Sequence, residues 1–158
     1  MKYFFTILII FIFNISTAFT NNEIIPLSKS IKEFNMKTEI GKLHYLAFFS
    51  LRCGSLFASI NDVIPNRNYL NAALNLQEGA LITAIMIKKT NQRQIKEDIN
   101  EEIESYKNIY SKIIQKNYDK YNTFIEGSEL LSGDEEICKN FVPRAYRFLK
   151  NNRFTIKK

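Results

Sequence analysis

The groups of this 158-residue chain that could do covalent, metal or proton chemistry are 2 cysteines, 1 histidine, 8 tyrosines and 16 acidic residues. Cys53 stands in LRCGSLF, Leu51 to Phe57, inside an otherwise core-like run. A cysteine nucleophile needs a base within hydrogen-bond reach. The single histidine, His44, precedes Cys53 on the same expected helix and falls about 180° from it at roughly 100° per residue. Arg52 would lower a thiol pKa only from the same side, and the wheel places it on the polar face while Cys53 faces inward. The chain has no C-x-x-C, C-x-x-C-H or H-E-x-x-H motif and no Glu-x-x-His pair of the kind that holds a di-iron centre. No catalytic residue, no metal site and no cofactor is therefore expected.

The carboxylates Glu97, Asp98, Glu101, Glu102 and Glu104 alternate with apolar seam positions, so a solvated helix face is expected rather than an acid–base pair, which needs a cleft that separates the two pKa values. Tyr106, Tyr110 and Tyr121 fall on the seam itself and read as core rings with a polar tip.

Two cysteines with no other task in an exported chain predict one disulfide. Cys53 and Cys138 both lie on apolar arcs, of the first and the last long helix, 85 residues apart. A bridge between those helices closes a loop worth about 4–5 kcal/mol in the chain-entropy description. Gly54, with Ala47, Ser50 and Ala58, makes a small-residue seam for a close helix neighbour.

The charge is uneven. Lys139, Arg144, Arg147, Lys150, Arg153, Lys157 and Lys158 follow one another at the C-terminus with no acidic residue among them. A basic amphipathic end of this kind meets a protein or an anionic envelope surface, or it serves only the helix C-terminus and solubility. Nucleic acid is not expected as a partner, because no recognition motif accompanies the charge.

The elements that must position these groups follow from periodicity and stop signals. A first helix spans Met36 to Ile64 and ends at Pro65, with His44, Tyr45, Arg52, Ser55 and Ser59 on a narrow wet face. A second runs from about Asn66 to Lys89, with a break near Thr90. The third is coiled-coil-like, with a seam through Ile95, Ile99, Ile103, Tyr106, Tyr110, Ile113, Asn117, Tyr121 and Phe124. EGSELLSGD, between Gly127 and Gly133, reads as a loop, with Asp134 as the N-cap of a fourth helix ending near Asn151. Pro143 is expected to kink that helix or begin a new one. The fold class is all-α: a single four-helix bundle in residues 36–158, preceded by an N-terminal arm, 19–35, with a short helix at Ser28 to Phe34.

MKYFFTILIIFIFNISTAFT opens the chain with one lysine, an apolar run from Tyr3 to Phe13, and small residues at Ser16 and Ala18. That run is shorter than the roughly 20 residues of a membrane span, so residues 1–18 read as a cleaved signal peptide. Cleavage removes Lys2 and takes the formal charge from +6 to +5. The expectation is a small non-enzymatic protein, periplasmic or extracellular, with no membrane span after cleavage, that binds a protein or an envelope surface. A carrier of a small apolar ligand, in a cavity lined by Phe57, Tyr69, Tyr106 and Tyr110, is the alternative. An enzyme using Glu and Tyr is the second alternative.

Overall fold

Each long helix begins on a side-chain cap that the sequence supplies. In the computed structural model, which describes residues 24–89 and 91–152, the elements are α1 (Leu27–Ser30), a 3-10 turn (Ile31–Glu33), α2 (Glu39–Val63), α3 (Arg67–Lys88), α4 (Gln92–Tyr121) and α5 (Glu129–Asn151). There is no strand among the described residues. The expected signal peptide, residues 1–18, lies outside the described residues.

Thr38 Oγ1 accepts from the Gly41 N–H at 3.1 Å and opens α2. Asn66 Oδ1 accepts from Asn68 at 2.8 Å, and Asn91 Oδ1 from Arg93 at 3.1 Å, at the starts of α3 and α4. Lys89 (φ 49°) and Asn122 (φ 55°) close α3 and α4 in the left-handed region, where an asparagine is tolerated and a lysine is uncommon.

The start of α5 differs from the sequence expectation. Its N-cap is Ser128, whose Oγ accepts from the Leu131 N–H at 3.3 Å, and Glu129 completes the first turn. EGSELLSGD is therefore mostly helix: Gly127 (φ 91°) makes the turn before the cap, while Gly133 sits inside α5. Asp134 is not a cap but a buried residue, 1% exposed. Pro143 begins no new helix; α5 runs through it as one element. Pro143 and Lys139, whose carbonyl has no N–H of residue 143 to accept, are both exposed residues of α5.

The long helices pack around α2. Its contacts with α5 advance in opposite directions, from Tyr45 beside Phe141 to Cys53 beside Cys138. Toward α3 the order is also reversed: Ser50 lies near Gly79, and Gly54 lies against Ala73 and Gln77. Toward α4 it is the same, since Ser55 Oγ donates to the Ile103 carbonyl at 3.1 Å and Ser59 Oγ to Lys107 at 3.0 Å. A β-carbon on Gly54 would stand 3.1 Å from Gln77 Cγ and 3.2 Å from its backbone nitrogen, so the small-residue seam serves α3. The main core joins Phe49, Leu56, Phe57, Ile60, Leu76, Tyr110, Ile114 and Leu131. Ile24 and Leu27 of the arm belong to it too.

The narrow wet face expected on α2 is not there. His44 is exposed, but Tyr45, Arg52, Ser55 and Ser59 are all buried, at 7% exposure or less. The cause is that α2 has a neighbour on nearly every side, and polar side chains at its core take partners on those neighbours. Ile40, in the first turn of α2, is 50% exposed. By length and composition both α2 and α3 are long and apolar enough to cross a membrane. Within the most apolar stretch of each, 67% of α2 but only 44% of α3 is buried by the fold, and α3 leaves Leu70, Leu74 and Met86 exposed.

Candidate functional site

Two clusters gather the chemistry-bearing residues, one buried and one at the surface. In the buried cluster Arg52 of α2, Tyr110 of α4 and Asp134 of α5 meet beneath the N-terminal arm. The Arg52 guanidinium donates to Asp134 Oδ2 at 3.2 Å, to the Tyr110 hydroxyl at 2.8 Å and to the Ile25 carbonyl at 3.1 Å. Tyr110 donates to Asp134 Oδ2 at 2.7 Å. The other carboxylate oxygen accepts the Leu27 backbone N–H at 2.7 Å. The guanidinium carbon lies 5.0 Å from the ring centre of Tyr106, 5.4 Å from Tyr110 and 5.6 Å from Phe48.

Burial, with the Asp134 carboxylate beside it, pushes the Tyr110 phenol far above its ordinary range despite the opposing charge of Arg52. The phenol is therefore a fixed donor to Asp134. Both carboxylate oxygens of Asp134, the Tyr110 hydroxyl, and Nε and Nη2 of Arg52 are all hydrogen-bonded within the cluster or to the arm. No second carboxylate is buried beside Asp134 among the described residues.

Cys53 and Cys138, both fully buried, follow directly: their sulfurs are 2.04 Å apart and their Cα atoms 5.3 Å apart, at disulfide distance. Bridge and ion pair are neighbours along both helices, since Cys53 follows Arg52 and Cys138 lies one turn beyond Asp134. Among the described residues no group of three or more His, Cys, Asp and Glu side chains is arranged to hold a metal ion.

The surface cluster is built on α5. At about 100° per residue, Lys139, Lys150, Arg147 and Arg144 occupy one arc of roughly 140°, and all four are exposed. Asp134, Cys138, Phe141, Ala145 and Leu149 occupy the buried arc on the other side. Arg144 hydrogen-bonds the Tyr45 hydroxyl at 3.2 Å, and Lys139 pairs with Glu135 at 2.8 Å. Arg147 and Lys150 form no ion pair among the described residues. The expected tail residues Arg153, Lys157 and Lys158 lie outside the described residues.

Between this arc and the start of α3 runs a groove of about 760 Å³. Its floor is Phe57, Tyr69, Ala72 and Val142, with ring centres of Phe57 and Tyr69 5.6 Å apart. Lys139, Lys150 and Tyr146 stand along the α5 side, and Asn68 and Asn71 along the α3 side. The Tyr69 hydroxyl is held by Glu135, and the Tyr146 hydroxyl accepts from the Asn75 amide at 3.1 Å. Burial and then Glu135 raise the Tyr69 pKa, while its bond to Glu135 raises that of Lys139, so the phenol stays neutral and the ammonium charged.

The four aromatic residues expected to share one cavity divide between the clusters. Phe57 and Tyr69 line the groove, whereas Tyr106 and Tyr110 surround Arg52. Sequence reasoning missed the groove because its two walls come from helices about 70 residues apart. The periodic asparagines at 68 and 71 were the one local sign of it. No protein-family model matches this chain, and no characterised protein or solved structure is similar to it at a significant level.

Proposed function

We propose that this chain is a small exported four-helix bundle that does no chemistry and binds another protein or an anionic envelope surface through α5. The exposed arc of Lys139, Arg144, Arg147 and Lys150, set against a buried arc that anchors the same helix, carries this reading. Surface cations held on a disulfide-pinned helix keep their spacing when a partner arrives, so little ordering entropy is lost on binding. Export supports it from a second side. A buried cysteine pair at bonding distance suits an oxidising compartment, which is where a cleaved signal at residues 1–18 would deliver the chain. A non-enzymatic role is supported by the saturation of Asp134, whose oxygens are taken by Arg52, Tyr110 and the Leu27 N–H.

The test is retention of the protein on envelope fractions of its host, with and without R144E and R147E. The double variant is expected to lower retention at least tenfold at low salt, with thermal unfolding little changed. Equal retention of both proteins would overturn the assignment of the binding face. Mass measurement of the host-produced protein tests export: a chain beginning at Phe19 is expected, and a full-length chain overturns cleavage.

A further inference from the structure

The groove and the cationic arc share two residues, Lys139 and Lys150, and the groove adds features that a bare charged surface does not need. Its aromatic walls are locked before any ligand arrives, Tyr69 by Glu135 and Tyr146 by Asn75. Asn68 and Asn71 line its α3 rim, and neither side-chain amide hydrogen-bonds another of the described residues. A carboxamide offers one acceptor and two donors, the complement of a peptide group. Lys139 is paired with Glu135, while Lys150, at the other end of the α5 wall, forms no ion pair among the described residues. The volume lies within the roughly 300–1,000 Å³ of ordinary ligand pockets.

We propose that the groove between α3 and α5 binds an extended acidic segment of a partner protein, with an aromatic side chain of that segment against the half-buried Tyr69 ring, a carboxylate facing Lys150, and its backbone against Asn68 and Asn71. This rests on the reading of α5 as a binding face and specifies the occupant. A lipid surface is the poorer match, because it makes no use of the two carboxamides of Asn68 and Asn71 along the α3 rim. Charge complementarity decides the sign of the segment, and the fixed rings decide its aromatic content.

The experiment uses the full disulfide-bonded protein, a positional-scanning library of fluorescent, end-blocked hexapeptides, and separate vesicles of phosphatidylglycerol. Enrichment of Asp or Glu together with Phe, Tyr or Trp is expected, and Asn71→Trp, which fills the groove from a half-buried rim position, should weaken binding of the best peptide at least tenfold. Should that variant unfold, K150E on the exposed end of α5 serves instead, with the same direction and a smaller loss. Selection of no acidic or aromatic residue, or enrichment untouched by both variants, overturns the proposal. Binding to vesicles alone, lost in R144E/R147E, overturns the peptide occupant and leaves the α5 face standing. Binding to neither probe, with no retention on envelope fractions, overturns both.

Discussion

Asp134 and Cys138 lie one turn apart on α5, and each is joined to one of two consecutive residues of α2: Asp134 to Arg52 at 3.2 Å, and Cys138 to Cys53 at disulfide distance. A covalent tie and an ionic tie thus hold the same two helices at one level. The Arg52 cluster extends that level to α4 through Tyr110 and to the arm through Ile25 and Leu27.

Removing one partner of the ion pair strands the other. Both side chains are at most 3% exposed, so Asp134→Ala should cost about 3–5 kcal/mol in urea unfolding, because it leaves Arg52 charged and uncompensated in the core. The paired replacement R52M/D134L should cost clearly less than the single change. A double variant as unstable as the sum of its parts would show that Arg52 and Asp134 do not act as a unit.

The cysteine pair is shielded from solvent, and its chemistry should show it. Alkylation of the native protein after mild reductant is expected to be slow, and fast once denaturant is added, read by the mass of the adduct. C53A/C138A should lower stability by up to about 4–5 kcal/mol, the loop-closure value for cysteines 85 residues apart. Rapid alkylation without denaturant would contradict the burial.

Alkali should act through Tyr110. Its folded pKa is raised above the unfolded value of about 10, so the native state keeps the phenol's proton where the unfolded chain has released it. The stabilisation is complete below about pH 10 and is lost as pH rises above it, with a slope of about 1.4 kcal/mol per pH unit from this group. Unfolding free energies measured from pH 9 to 11 should fall more steeply for the native chain than for Tyr110→Phe. Equal slopes would remove Tyr110 from the account.

The close approach of α2 and α3 depends on Gly54. With Gln77 already 3.1–3.2 Å from the position of a β-carbon, Gly54→Val should force the helices apart and cost about 1–3 kcal/mol by thermal or urea unfolding. Gly133 has nothing within 4 Å of its β-position and lies inside α5, so Gly133→Ala should be neutral or stabilising, by up to about 1 kcal/mol. The pair of substitutions separates packing from helix propensity.

What the sequence determined by itself is what short-range rules govern. The all-helical class, the stop of α2 before Pro65, the end of α3 near Lys89 and the seam of α4 through Ile95, Ile99, Ile103 and Tyr110 follow from periodicity and from proline's missing donor. Tyr121, expected on the same seam as a core ring, is instead 46% exposed at the end of α4, and α2 begins at Glu39 rather than Met36. The cysteine partnership was legible as well, because two cysteines on apolar arcs admit one pairing. The direction of Arg52 was not. A charge on a helix reads as solvent-facing, since burying it alone is prohibitive, and its compensation comes from Tyr110 and Asp134, 58 and 82 residues later. Asp134 was misplaced for the same reason: before Glu135 it looks like a cap, and only its place opposite Arg52 makes it core. Ser55 and Ser59 were polar on the wheel until α4 presented the carbonyls of Ile103 and Lys107. The groove is also a tertiary product, since Asn68 and Asn71 meet Lys150 only where α3 and α5 lie side by side. Local spacing decides which face a helix can bury; which polar groups may join that face depends on partners that only the assembled chain supplies.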